Sequence, residues 1–175
     1  DGATAAGNIE IIKLHLGKAI SAAKLTEVWE TSDVGAVWPR RSTDAHKGHS
    51  GHLLIVAGSH AMAGAAVLAV QGAFAVGTGR VTLLAPAEAQ SRLQSLPPEA
   101  MLASGWTDDL DSLPDLDKYT AVVAGPGIGA APPSLARWLC DTWRTASIPV
   151  LYDADALPYT SNTYAGPRVL TPHPG

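Results

Sequence analysis

The sequence predicts an α/β layered fold on a mainly parallel central sheet. Three observations carry that prediction: short apolar runs without alternation, helix-period segments between them, and glycine-rich turns placed directly after the runs. A strand covered by helices on both faces needs no polar side, so it reads as an uninterrupted apolar stretch. Strands alternating with helices then argue for a layered sheet whose ligands gather at the carboxyl ends of the strands.

The elements follow in order. Ile9 to Gly17 ends in strict alternation, with Ile12, Leu14 and Leu16 on one face and Lys13 and His15 on the other, so the spacing predicts a strand. Ala19 to Trp29 suits a short helix, and the polar, proline-broken passage Trp38 to Asp44 suits a linker with a boundary near Thr43. Beyond it, Leu53 to Ala57 is a buried strand, Gly58 to Gly64 a loop, and Ala65 to Val76 a helix stopped by Gly77-Thr78-Gly79. Val81 to Leu84 is the next strand, closed by Pro86, and its crossover should be right-handed. Ala121 to Ala124 runs into Gly125-Pro126-Gly127-Ile128-Gly129, and a helix opens after Pro132-Pro133 with Leu135, Trp138, Leu139 and Trp143 as its core face. Pro149 to Tyr152, ending at Asp153, and Val169 to Thr171 are further strands.

Composition narrows the function classes. The 175 residues are 46% hydrophobic and 16% charged, which suits a folded domain and not a disordered tail. A formal net charge of -4 argues against nucleic acid and against an anionic membrane surface as partners. A single cysteine, Cys140, leaves no disulfide framework, so the expected compartment is the cytoplasm. The longest apolar stretch, Ala61 to Val76, is broken by Gly64, Gln71 and Gly72 and falls short of the ~20 residues a spanning helix needs. Asp1 and its neighbours offer no basic head before a hydrophobic core, unlike a secretory signal.

Two phosphate-binding fingerprints fail. Gly58 to Gly64 has one residue too many between its glycines for a P-loop, and no Lys-Ser or Lys-Thr follows. Gly125 to Gly129 follows a strand, but its spacing is not that of the dinucleotide fingerprint, and Pro126 has no N–H for a pyrophosphate. Each turn alone is explained by a sharp bend; two at strand ends, on one edge of a parallel sheet, favour a ligand approaching the main chain. Asp153-Ala154-Asp155 could hold Mg²⁺, activate a hydroxyl, or cap the next helix, and a cap or turn is the favoured reading. His49 and His52 lack an acidic or thiolate third ligand, so they read as solvated loop residues and no metal site is expected. Lys47 reads as a surface residue or a phosphate contact, and His173 is held between two prolines directly after a strand, where a rigid imidazole could orient a ligand.

Taken together, His46-Lys47-Gly48 with Gly51, Leu54 to Ser59, Met62, Gly64-Ala65-Ala66, Pro98 to Met101, Gly125 to Gly129, Pro149 to Leu157 and Leu170 to Gly175 resemble, in order, the NAD(P)H-hydrate dehydratase family. The resemblance covers about residues 44–175 and implies a ribokinase-like fold, with 1–43 as the tail and linker of a preceding epimerase-like domain. It implies a carbon-oxygen lyase that dehydrates the S epimer of hydrated NADH or NADPH at the expense of ADP or ATP with Mg²⁺. It further implies substrate contacts at Ala65, Ala66, Gly127 and His173, a structural or ion-orienting role for Asp153, and a homo-oligomer for the full-length protein. In the family, a glutamate, a lysine-bearing nucleotide segment and a Gly-Thr-Gly-Asp loop with the catalytic Asp follow the His-Pro-Gly segment; none is present through Gly175. The expectation is therefore a fragment, inactive by itself, with no catalytic residue in this chain and an exposed apolar edge where further strands would pair. Rival readings are a ribokinase-like small-molecule kinase and a non-catalytic nucleotide-binding module.

Overall fold

The computed structural model describes residues 31–37, 51–103, 105–106 and 113–173. The chain divides into two compact units, Asp1–Arg40 and Arg41–Gly175. In the first, the described residues form a short helix, α1 (Thr31–Val37), with Asp33 in its first turn, where a carboxylate suits the positive end of the helix dipole. The strand expected at Ile9 to Gly17, the helix at Ala19 to Trp29, and the His46-Lys47-Gly48 motif lie outside the described residues.

In the second unit, six strands of the described residues form one parallel sheet in the order β3-β2-β1-β4-β5-β6. These are β1 (His52–Val56), β2 (Arg80–Leu84), β3 (Met101–Leu102), β4 (Ala121–Ala124), β5 (Val150–Asp153) and β6 (Arg168–Thr171). Helix α2 (Ala63–Ala75) joins β1 to β2 and α3 (Pro133–Thr145) joins β4 to β5. The first crossover steps one way along the sheet and the second steps the other. Right-handed crossovers running in opposite directions place their helices on opposite faces.

Packing bears this out. Leu54, Val56, Leu84, Val122, Val150 and Tyr152 pack with Leu135, Leu139 and Trp143 of α3. Ile55, Ala57, Val81, Leu83 and Ala85 pack with Ala63, Ala66, Val67, Val70 and Ala73 of α2. Adjacent residues of one strand therefore serve different cores, and each fully buried aliphatic side chain contributes about 1.5–3 kcal/mol. Tyr152 is fully buried, and its hydroxyl donates to the Leu139 carbonyl at 2.7 Å, fastening β5 to α3. Trp138 is only half-buried and donates through Nε1 to the Pro114 carbonyl at 3.3 Å, so it rims the expected core face and does not fill it.

Helix boundaries obey local chemistry. α3 begins with Pro133 after Pro132, where a missing N–H leaves no orphan donor. α2 ends as a Schellman motif: Gly77, at φ +97°, donates to the Phe74 carbonyl at 2.9 Å while Thr78 donates to Ala73 at 3.1 Å. α2 starts at Ala63, two residues earlier than the sequence predicts, so Gly64-Ala65-Ala66 is its first turn and not a connecting turn. Both edge strands expose apolar side chains, Val169 and Leu170 on β6 and Met101 and Leu102 on β3. Among the described residues, no helix is long and apolar enough to cross a membrane.

Candidate functional site

The order of the strands reverses between β1 and β4: β1 connects outward to β2, and β4 connects outward to β5. Loops leaving the two strands at their carboxyl ends diverge, and the crevice between them is where open parallel sheets bind ligands. Here the loops are the two glycine-rich turns. Gly58 N–H donates to the Pro126 carbonyl at 2.8 Å, and Gly125 N–H donates to the Val56 carbonyl at 3.1 Å. Ile128 N–H closes a turn on the Gly125 carbonyl at 3.2 Å. Pro126 in its second position and Gly127, at φ +67°, in its third are the residues a type II turn requires.

Glycine is required here on steric grounds as well. A Cβ on Gly127 would come within 2.9 Å of Ala65 Cβ and of Met62 Cβ and carbonyl, and one on Gly125 would overlap the Asp153 carbonyl. Gly58 sits over Ala66, whose Cβ lies 2.9 Å from where a Gly58 side chain would begin. The second loop therefore rests on the start of α2.

The predicted contact residues separate into three environments. Gly127 and Ala65 adjoin one another, with Gly127 buried and Ala65 half-buried. Ala66 is fully buried, so its side chain supports the Gly58 loop and does not face solvent. His173 is exposed and lies just past the end of β6, at the same edge of the sheet.

Asp153 and Asp155 do not act as helix caps. The short 3₁₀ turn Ala154–Tyr159 that follows has no side-chain cap. Instead, Asp153 Oδ1 accepts the Thr171 hydroxyl at 2.7 Å and Asp155 Oδ2 accepts Gly129 N–H at 2.8 Å. The turn is there but the cap is not, because Thr171 of β6 and Gly129 of the loop after β4 take these carboxylates. His52 is a second correction: it is buried on β1 and not solvated. Its Nδ1 lies 3.1 Å from the Lys118 carbonyl and its Nε2 2.8 Å from Thr82 Oγ1, so both ring nitrogens find partners inside the protein.

Clefts among the described residues adjoin both ends of the sheet. One, of about 790 Å³, opens at the carboxyl edge between Ser59, His60 and Met62, the Pro86-Ala87-Glu88 segment, Trp106, and Ile128 to Ala130. His60 Nδ1 donates to the Glu88 carbonyl at 3.3 Å and Arg92 donates to the His60 carbonyl at 3.2 Å, tying the loop after β1 to the turn after β2. Another, of about 550 Å³, lies at the amino edge and carries Asp115, Asp117 and Asp141. The amino-edge cleft is remote from the switch point, so the carboxyl-edge cleft is the candidate site. Of the lining, Ser59, Met62, Ile128 and Gly129 fall in motifs legible in the sequence, whereas Glu88 and Trp106 do not. Among the described residues, no group of three or more His, Cys, Asp or Glu side chains could cage a cation.

Comparison with known proteins agrees with the fold. The model of the NAD(P)H-hydrate dehydratase family matches residues 53–175. The chain is 33% identical over 174 residues to the bifunctional NAD(P)H-hydrate repair enzyme Nnr of Coxiella burnetii, covering 97% of this chain and 35% of that protein. It is 35% identical over 151 residues to the ADP-dependent (S)-NAD(P)H-hydrate dehydratase of Bacillus subtilis, covering 84% of this chain and 53% of the relative. The crystal structure of the Bacillus subtilis ADP/ATP-dependent enzyme, co-crystallized with ATP/Mg²⁺, superposes with a TM-score of 0.72 at 34% identity, over 84% of this chain and 53% of that one. A ribokinase-like protein of Enterococcus faecalis, 17% identical, covers 69% of this chain and 42% of that one at a TM-score of 0.56 and shares the fold. The chain thus spans about a third to a half of the curated relatives it matches. With the family model spanning residues 53–175, the chain belongs to the NAD(P)H-hydrate dehydratase family.

Proposed function

We propose that the whole protein dehydrates the S epimer of hydrated NADH or NADPH, using ADP or ATP, and so repairs damaged nicotinamide cofactor. One observation carries this reading beyond family membership: the two glycine-rich loops meet at the switch point, bonded through Gly58 N–H and the Pro126 carbonyl at 2.8 Å. Small residues there let a bulky ligand reach main chain. Gly127 and Ala65 form that surface, Ala66 supports it from below, and the His173 imidazole orients the ligand from the β6 side.

When bound, the nucleotide supplies the phosphoryl group that turns the ring hydroxyl into a leaving group. Mg²⁺ bound with it would offset the phosphate charges. This chain's part is binding and orientation. Residues 44–175 are then the amino-terminal part of the dehydratase domain and 1–43 the tail and linker of an epimerase-like domain. Support comes from the division of the chain at Arg40 and from bifunctional relatives that align over 97% of it. The same reading takes the whole protein to be a cytoplasmic homo-oligomer.

The test is turnover. Incubating the whole protein with the S hydrate and ADP or ATP should restore dihydronicotinamide absorbance. Phosphorylation of a small alcohol acceptor without that recovery would replace the reading with a kinase. His173→Ala should weaken hydrate binding several-fold, and unchanged affinity removes His173 from the contact set.

A further inference from the structure

We propose that Asp153 and Asp155 are positioning residues: the Asp-Ala-Asp end of β5 fixes the spacing between the Gly125 to Gly129 loop and the Thr171 to His173 segment. The ligand in this inference rests on the dehydratase reading; the clamp itself does not.

β5 lies between the two strands whose carboxyl ends carry Gly127 and His173. Asp153 is in register with Thr171 and takes its hydroxyl at 2.7 Å, two residues before His173. Asp155 takes Gly129 N–H at 2.8 Å, two residues after Gly127. In a continued strand the two carboxylates would project from one face. Ala154 breaks that pattern at φ +44°, a left-handed conformation unfavourable for a residue with a Cβ, and the chain turns between them. Each carboxylate consequently serves a different neighbour. Gly125 completes the fit, because its missing side chain lets the loop backbone close on the Asp153 carbonyl and on Ala156. Charged acceptors on an amide and a hydroxyl make strong, directional bonds, suited to fixing loops that must not drift.

The experiment pairs hydrate titration calorimetry with amide exchange at Gly129, on the whole protein. Asp155→Ala should weaken hydrate binding roughly tenfold and speed Gly129 exchange. Asp155→Asn keeps an acceptor oxygen and should restore most of both. Thr171→Val keeps the shape, removes the hydroxyl held by Asp153, and should weaken binding several-fold. Asp155→Asn that restores slow Gly129 exchange yet binds hydrate as weakly as Asp155→Ala would mean that the charge acts on the ligand directly, which overturns the positioning role. Unchanged affinity in Asp155→Ala and Thr171→Val overturns it as well. If the unmodified protein binds no hydrate, the dehydratase reading fails, and Gly129 exchange decides the clamp: faster in Asp155→Ala supports it, unchanged sinks it.

Discussion

At the carboxyl edge of the sheet, neighbouring loops are joined by main-chain bonds such as Gly58 N–H to Pro126 and by the two carboxylates that end β5. The amino edge relies on buried or half-buried side chains. There, His52 links β1 to Thr82 of β2 and to the Lys118 carbonyl before β4, its ring 4.6 Å from that of Tyr119. Arg168 donates Nε to the Trp143 carbonyl at 2.8 Å and Nη2 to Ala146 at 2.7 Å, with weaker bonds to Thr142 and Ile148. The two ends differ: on the proposed reading the carboxyl edge keeps space for a ligand, while side chains at the amino edge fasten the layers together.

Arg168→Ala tests that difference most severely. The guanidinium caps the carbonyl end of α3, whose last acceptors have no helical partners, and it stacks 5.5 Å from the Trp143 ring. Removing it should cost about 2 kcal/mol in denaturant unfolding, and Arg168→Lys should recover little because an ammonium lacks the planar fork. Hydrate affinity should stay unchanged. Loss of affinity without loss of stability would erase the distinction between the edges.

Legibility in the sequence followed locality. Leu53 to Ala57 and Ala121 to Ala124 were readable as strands because both faces are covered, leaving uninterrupted apolar runs. β3 was not, since two exposed residues, Met101 and Leu102, carry no periodicity. His52 was misread because its side-chain partners, Thr82 and Lys118, lie 30 and 66 residues away, and a polar residue at a strand's start looks solvated. Asp153 and Asp155 were assigned to the nearest backbone donors, whereas their partners, Thr171 and Gly129, lie 18 and 26 residues off. The glycine loops were placed at the correct edge, but the walls of the cleft, Trp106 and Glu88 among them, come from segments with no recognisable motif.

A smaller effect should appear with pH. Burial, then the Arg80 charge, hold the His52 imidazole below the ordinary value of 6.5, outweighing the bond to the Lys118 carbonyl; the Lys118 charge acts with Arg80. The unfolded chain therefore binds the proton more readily than the folded one. Stability is full above about 6.5 and declines as pH falls below it toward the folded-state value. His52→Gln should flatten that part of the thermal midpoint profile. A profile with the same slope in the variant would assign the acid sensitivity to other groups.

The smallest effects come from two glycines on α2. Neither Gly64 nor Gly72 has any atom within 4 Å of an added Cβ, and neither has positive φ, so alanine fits both without strain. Each Gly→Ala change should raise stability by up to about 1 kcal/mol, less at Gly64 in the first turn, because alanine restricts the unfolded chain and favours helix. They differ in position. Gly64 lies one residue before Ala65, against which Gly127 packs, whereas Gly72 lies in the last turn, toward the amino edge. If the start of α2 faces the hydrate, a methyl group on Gly64 intrudes on the ligand and lowers affinity, while one on Gly72 leaves affinity untouched. Thermal unfolding of both variants with hydrate titration separates the outcomes: stabilisation in both, with weaker binding only in Gly64→Ala, places the ligand over the first turn of α2. Equal binding in both moves it toward the cleft walls at Met62 and Trp106.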